Sequence, residues 1–360
     1  MEKNVAADFD PNAPGINNGC YFGLPFTPEE AQLVLLPVPW EVTASYGGGT
    51  ASAPDAILDA SMQVDLYDIH YPGGWERGIG TLEMDDTLQP RSARLRQEAL
   101  RVMSHLEGGG SPESELMQRR LRRINEASAE LNDYVYGEAK RWLDAGKKVG
   151  VVGGDHSVPL GLIQAVAGRY PGIGILHVDA HADLREAYEG FTYSHASIMY
   201  NALHEAPGVG ALVQVGIRDF CDEELEVARA DERVVQFTDY ELAAAQFEGE
   251  TWRTVCDRIV AALPRQVYVS FDIDGLSPDN CPHTGTPVPG GLSFRAAVYL
   301  LAAAVVTFKG KRPNTIIFYH LLEHFQLQLL KFCISVSSFS QCNYFCTFRH
   351  SYIFNGFSIS

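Results

Sequence analysis

The sequence predicts an α/β protein in which a central, mostly parallel β-sheet is covered by helices on both faces, giving three αβα layers. Short apolar runs with few alternating polar positions recur along the chain, and stretches with helical spacing separate them. With 360 residues, the chain is long enough for one large α/β domain or two ordinary ones.

The first 145 residues contain one predicted strand and two predicted helices. Residues 1–30 are rich in Asn, Pro and Gly and are interpreted as an N-terminal arm. Ala31–Pro37 (AQLVLLP) suits a buried strand, and Pro54, after a Gly-rich loop, favours the first turn of a helix. A Gly/Ser/Pro-rich break covers residues 105–115. Apolar residues three and four apart then predict a helix over Glu115–Ala145.

The next part of the chain alternates between strands and helices. Strands are predicted at Lys148–Val152, Ile173–Val178, Ala211–Ile217, Val234–Phe237 and Gln266–Phe271, with helices at Leu160–Tyr170 and Trp252–Ala262. This order is typical of a parallel sheet whose strands are joined by helical crossovers.

The composition changes near residue 300. Residues 301–360 contain nine of the 18 Phe and three of the seven Cys, and Glu323 is their only acidic residue. We therefore predict one α/β domain over residues 31–300 and an atypical tail over residues 301–360. The tail is interpreted as a frameshifted or read-through end, with a divergent hydrophobic segment as the alternative.

Charge and cysteine content limit the classes of partner and the cellular compartment that we expect. A formal charge of -17 argues against nucleic acid or an anionic membrane as a partner. The N-terminus lacks the apolar core of a signal peptide, and no apolar run is long enough to span a membrane. Seven scattered cysteines without disulfide or metal spacing fit a reducing compartment, so we expect a cytoplasmic protein.

Three motifs each follow a predicted strand, where parallel α/β proteins place their active sites. They are GGDHS at Gly153–Ser157, DAHADL at Asp179–Leu184 and SFDID at Ser270–Asp274. The first alone could be a Gly-rich turn with a helix cap, and the third a strand ending in a cap. Three ionisable residues within five positions, as in DAHAD, rarely serve packing.

The spacing of these residues indicates metal binding. Residues two apart on an extended segment point to one side, so the three ionisable residues of DAHAD share a side, and so do Asp272 and Asp274. Like charges that close would force several to protonate, and divalent cations resolve the conflict. Carboxylate and imidazole ligands without thiolate suit Mn²⁺, and also Fe²⁺, Ni²⁺ or Zn²⁺, and bridging carboxylates favour two ions over one. The candidate ligands are His156, Asp179, His181, Asp183, Asp272 and Asp274.

These motifs resemble the signature of the ureohydrolase family, which includes arginases, agmatinases and formimidoylglutamases. The similarity covers Leu33 to Leu300 and includes SYGGGTASAPDAI near the start and TGTPVPGGLSFR at Thr284–Arg295. It implies an arginase-like fold and a homo-oligomer, a trimer or hexamer. It also implies two metal sites that share Asp179 and Asp272 as bridging ligands. The remaining ligands would be His156 and Asp183 for one metal, and His181 and Asp274 for the other.

The resemblance also implies a reaction. A water activated by the two cations would attack a guanidinium carbon, with Asp183 accepting a hydrogen bond from it. His195 in YSHAS would act as a proton shuttle or substrate contact, with an ordinary polar loop residue as the alternative. Asp155 could orient a ligand from behind.

The segment that contains DAHADL and YSHAS is most similar to agmatinases, so agmatine cleavage to putrescine and urea is the expected reaction. Arginine, guanidinobutyrate, guanidine and formimidoylglutamate remain open as substrates, and Arg185 could pair with a substrate carboxylate or lie at the surface. In members of the family, the segment that corresponds to LSFR is followed by a further strand and a loop with a Glu that binds the guanidinium group. No such strand and Glu are recognisable in this sequence. A metal-binding but inactive homologue is therefore the alternative of another class.

Overall fold

The computed structural model describes residues 9–68 and 72–311 of the chain, with side chains described as far as residue 304. Seven strands lie in this part: β1 (Leu33–Val38), β2 (Ile79–Thr81), β3 (Lys148–Gly153), β4 (Ile173–Val178), β5 (Val209–Ile217), β6 (Val234–Thr238) and β7 (Val267–Phe271). The described helices are α1 (Ala53–Ser61), α2 (Leu88–Glu107), α3 (Glu115–Asp144), α4 (Leu160–Arg169), α5 (Ile198–Glu205), α6 (Asp222–Ala230), α7 (Asp239–Phe247), α8 (Trp252–Ala261) and α9 (Phe294–Lys311).

The α/β fold class is confirmed, since every strand pairing in the described sheets is parallel and helices cover both faces. In β1, Val34 and Leu36 pack into the core beneath α2 and α3. The alternate residues Leu33 and Leu35 pack on the opposite face, against α1 and the arm residue Tyr21. The arm therefore covers one face of the sheet.

The predicted single sheet differs from what the described residues form. The strands pair as two sheets, β2-β1-β3 and β6-β5-β4-β7, so β3 and β7 are both edge strands in this part of the chain. A cavity lined by both strands lies between them. Every residue of β1 and β4 is buried, whereas β3 and β7, which border this cavity, contain both buried and half-buried residues.

The tail prediction falls only partly within the described residues. The first residues after position 300 belong to α9, which packs against α8. Glu323 and the rest of residues 312–360 lie outside the described part of the chain.

Candidate metal centre

The three motifs meet at the carboxyl ends of β3, β4 and β7. The backbone N–H of Asp272 donates to the carbonyl of Val178 at 2.9 Å, and that of Asp179 donates to the carbonyl of Val215 at 3.2 Å. These bonds continue the strand ladders past the strand ends. They hold both motifs side by side, as the parallel topology requires.

The first cluster forms around His156. Its Nδ1 lies 2.9 Å from Oδ2 of Asp179, 3.0 Å from Oδ2 of Asp183 and 3.5 Å from Oδ2 of Asp272. None of these oxygens is aligned for a hydrogen bond with this buried nitrogen. The other ring nitrogen, Nε2, lies 2.8 Å from the hydroxyl of Ser270, so the ring orientation is fixed from behind.

The second cluster forms around His181. Its Nδ1 lies 3.3 Å from Oδ1 of Asp179 and 3.3 Å from Oδ2 of Asp274. The backbone N–H of Ala180 and the hydroxyl of Thr286 each donate to Asp274 at 3.1 Å. Asp179 contributes to both clusters, which is the placement that a bridging carboxylate needs.

Burial and mutual repulsion perturb the carboxyl groups of this centre. Burial, followed by repulsion from Asp179 or Asp274, raises the pKa of Asp183 to about 6, that of Asp272 to about 7 and that of Asp274 to about 6. Burial opposes ionisation of Asp179 too. Its histidine neighbours outweigh that effect and hold its pKa well below the usual value.

The donor set therefore fits divalent cations. Buried carboxylates that repel one another converge with an imidazole nitrogen that lacks an aligned hydrogen-bond partner. A cation relieves both costs at once, because it compensates the negative charge and uses the nitrogen lone pair.

Mn²⁺ affinity is expected to rise with pH. Since the folded-state pKa values of Asp183, Asp272 and Asp274 are raised, the metal-free fold gains from their protonation at low pH. That contribution is lost as the pH rises through about 6 to 7. A cation competes with the same protons, so its affinity should increase from about pH 5 to about pH 8. Titration calorimetry with Mn²⁺ across this range tests the sign, and a flat profile contradicts it.

Asp183 adopts a strained backbone conformation. Its φ of 55° lies in the left-handed region that non-glycine residues rarely occupy. Its carbonyl accepts hydrogen bonds from the N–H groups of Met199 and Tyr200 at 3.0 and 3.1 Å, at the start of α5. These two bonds from the start of α5 stabilise the left-handed conformation of Asp183, whose carboxylate contacts His156.

The other sequence candidates have different surroundings. His195 lines the same cavity, and its backbone N–H donates to Thr43 at 3.2 Å. Burial, with the nearby His181 and His156, lowers the pKa of His195 to about 4. Asp155 accepts a hydrogen bond from the Ser157 N–H at 3.0 Å and closes its own turn. The ring of His156 is oriented by Ser270, so the expectation that Asp155 orients a ligand has no supporting contact.

Arg185 is engaged within the protein. Its Nε lies 3.5 Å from the buried carboxylate of Glu224, and its guanidinium lies 4.9 Å from the ring centroid of Tyr188. Glu224 also accepts a hydrogen bond from the Leu184 N–H at 3.1 Å. These contacts attach the DAHADL loop to α6 and account for the arginine without a substrate carboxylate.

Sequence reasoning missed His177 and Gln214. His177 joins His156, Asp179 and Asp183 in a group whose ligand-type atoms lie within 4.8 Å of one another. Both missed side chains are fully buried in strands that are otherwise almost entirely apolar. A polar residue inside the runs IGILHV and ALVQVGI was the available signal.

The cavity that contains these residues has a volume of about 330 Å³. The Gly-rich segment after β1 and the TGT segment before α9 form one side, joined by a hydrogen bond from Gly47 N–H to the Gly285 carbonyl at 2.9 Å. None of its described lining residues is Lys or Arg. The lining offers carboxylates, imidazoles and hydroxyl groups together with many apolar side chains.

Comparisons with known proteins agree with this geometry. A model of the arginase family matches residues 31–309. The chain is 36% identical to an N(1)-aminopropylagmatine ureohydrolase of Thermus thermophilus over 284 residues, 78% of this chain and 81% of the relative. It is 28% identical to an agmatinase of Bacillus anthracis over 268 residues, 74% of this chain and 76% of the relative.

The fold is also similar to a solved structure, the agmatine ureohydrolase of Thermoplasma volcanium. The TM-score is 0.59 at 21% identity, with 88% of this chain and 94% of the other covered. Separately, none of the helices in residues 9–68 and 72–311 has the length and apolar character needed to cross a bilayer.

Proposed function

This chain belongs to the arginase family of ureohydrolases, and we propose that its substrate is a decarboxylated guanidino compound. Agmatine, cleaved to putrescine and urea, is the first candidate. N(1)-aminopropylagmatine is the second, because the Thermus thermophilus relative is named for it.

The residues that line the cavity support this choice of substrate. A buried substrate carboxylate needs a cationic partner, and the described lining residues include no Lys or Arg. Arg185, the candidate partner in sequence, is paired with Glu224. A substrate with a guanidinium at one end and an ammonium at the other carries no carboxylate that would need such a partner.

We assign the metal ligands by position. One divalent cation would be held by His156, Asp179, Asp183 and Asp272, and the other by His181, Asp179, Asp272 and Asp274. The cations, Mn²⁺ first and Ni²⁺, Fe²⁺ or Zn²⁺ as alternatives, would supply Lewis acidity and lower the pKa of water.

Protein groups would then position the reactants and carry protons. The Asp183 carboxylate, in contact with His156, would accept a hydrogen bond from the attacking water. The water oxygen bonds to the guanidinium carbon, the bond from that carbon to the alkyl nitrogen breaks, and the nitrogen leaves protonated. His195 lines the cavity and would carry the proton from the water to the departing amine.

The test is urea release by the full chain loaded with Mn²⁺ or Ni²⁺. Agmatine or aminopropylagmatine should be turned over with kcat/KM at least about 100-fold above arginine and guanidinobutyrate. Formamide release from formimidoylglutamate would overturn the substrate choice. If no substrate is cleaved while two metals are bound, the inactive metal-binding homologue replaces the proposed enzyme.

His195→Asn should lower kcat by about 100-fold or more while leaving Mn²⁺ affinity unchanged. The expected loss is that of a proton carrier, which typically contributes 10²- to 10⁴-fold. Steady-state kinetics on agmatine and calorimetry with Mn²⁺ measure the two effects. Unchanged kcat would assign His195 to the loop structure.

We also propose a cytoplasmic homo-oligomer, a trimer or hexamer, acting in polyamine biosynthesis. The support is family membership and the chemistry of the expected product. Size-exclusion chromatography with light scattering measures the mass of the oligomer, and the mass of a monomer would contradict the proposed oligomeric state.

A further inference from the structure

Three polar side chains form a row across the interior of the β6-β5-β4-β7 sheet. His177 of β4 is directly opposite Gln214 of β5, which is directly opposite Gln236 of β6. His177 and Gln214 have no solvent exposure. Buried polar groups at the centre of a sheet are costly unless every one of them is hydrogen-bonded.

Gln214 determines the direction of the hydrogen bonds in this row. Its Nε2 donates to the carbonyl of Ala182 at 2.7 Å and to Nδ1 of His177 at 2.9 Å. Its Oε1 accepts from Nε2 of Gln236 at 2.9 Å. Because a carbonyl only accepts, Ala182 places the amide nitrogen of Gln214 on that side, and both amide hydrogens are then used.

The consequence for His177 is a defined tautomer. Nδ1 faces a donor and must be the accepting nitrogen, so the ring hydrogen is on Nε2. That hydrogen points to Oδ2 of Asp179, which lies 2.8 Å away. The same Oδ2 is 2.9 Å from Nδ1 of His156. The row thus ends on the carboxylate that both clusters share.

We propose that Gln236, Gln214 and His177 act as positioning residues that orient Asp179 for binding two metals, and that His177 is not itself a ligand. This inference rests on the proposed metal centre. A protonated Nε2 has no lone pair for a cation, although His177 lies within the ligand-type group around His156. Its hydrogen bond fixes the plane of the carboxylate, as partners behind metal ligands commonly do.

The first test compares Mn²⁺ binding by the full chain and by variants of His177. His177→Leu removes the donor to Asp179 and should weaken binding by about 10- to 100-fold. In His177→Gln, the side-chain amide can still donate to Asp179, so binding should be restored to within a few-fold of the original chain.

Ser61→Ala serves as the control for a general loss of buried hydrogen bonds. The Ser61 hydroxyl accepts from the Phe22 N–H at 2.7 Å, in the core beneath the arm and outside the lining of the cavity. This variant should bind Mn²⁺ as the original chain does. Original affinity in His177→Leu, or a loss as large in His177→Gln, overturns the positioning role.

The second test needs no metal. Long-range ¹⁵N–¹H correlation spectra of histidine-labelled chain report which ring nitrogen of His177 is protonated, with His177→Gln used to assign the signal. Protonated Nε2 is expected, and protonated Nδ1 overturns the inference. Should the original chain fail to bind Mn²⁺, the proposed metal centre fails, while the spectrum still decides the arrangement of the row.

Discussion

Asp179→Asn should reduce kcat/KM on agmatine by at least about 1,000-fold and leave fewer than two Mn²⁺ per chain. Asp179 is the carboxylate common to the two clusters, with one oxygen facing His156 and the other facing His181. The amide removes the shared negative charge and places an NH₂ group where one cation must lie. Removing one partner from a buried charged network typically costs about 3–5 kcal/mol. A loss of about 4 kcal/mol in transition-state stabilisation corresponds to a factor of about 1,000.

Metal content after dialysis, together with urea release, measures this effect. Asp222→Asn is the matched control, since it removes the same charge at an exposed position in the first turn of α6. The control should keep two metals and activity within about twofold. If Asp179→Asn retained two Mn²⁺ and most of its activity, Asp179 would not be a shared ligand.

Gly154→Ala should destabilise the protein by at least about 3 kcal/mol, and its melting temperature should fall by at least about 5 °C. A Cβ at this position would lie 1.7 Å from the carbonyl oxygen of Trp40. The backbone cannot move away easily. The Gly154 N–H donates to Val38 at 3.1 Å, and the Asp155 N–H donates to Trp40 at 2.8 Å. The methyl group would therefore separate the GGDHS loop from the end of β1.

Gly168→Ala provides the comparison. Gly168 is exposed in α4, and no atom lies within 4 Å of the position that its Cβ would take. Alanine favours helix there, so this variant should be as stable as the original chain or up to about 1 kcal/mol more stable. Thermal denaturation in the presence of a chelator separates the effect on the fold from any loss of metal. Equal melting temperatures for the two variants would contradict the predicted clash.

The elements predicted well are those with a strong local pattern. The strand over Ile173–Val178 was predicted to the residue, and the long helix ends at Asp144 where Ala145 was expected. The strand is a short apolar run, and the helix keeps apolar residues three and four apart throughout its length. Helix α2 and the three-residue strand β2 were missed. The apolar residues of α2 are interspersed with many charged residues, which obscures the helical period. Strand β2 forms by pairing with β1, which is remote in sequence.

The same contrast applies to the candidate site. The motifs that follow β3, β4 and β7 were expected to converge, and they do, because parallel strands place their carboxyl ends at one edge. The use of Ser270 to orient His156 was not expected. Ser270 lies near the end of β7, and no local sequence pattern indicates which side chain its hydroxyl will contact.

The sequence by itself determined the strands, the order of the motifs and the chemical type of the candidate ligands, since these depend on neighbours within a few residues. Only the tertiary structure decided that Arg185 is paired with Glu224, that Ser270 orients His156, and that no described residue lining the cavity is Lys or Arg. It also decided the row from Gln236 to His177, whose members lie on three different strands. These features join residues far apart in sequence. Their hydrogen bonds and charges exist only once the strands are packed in register.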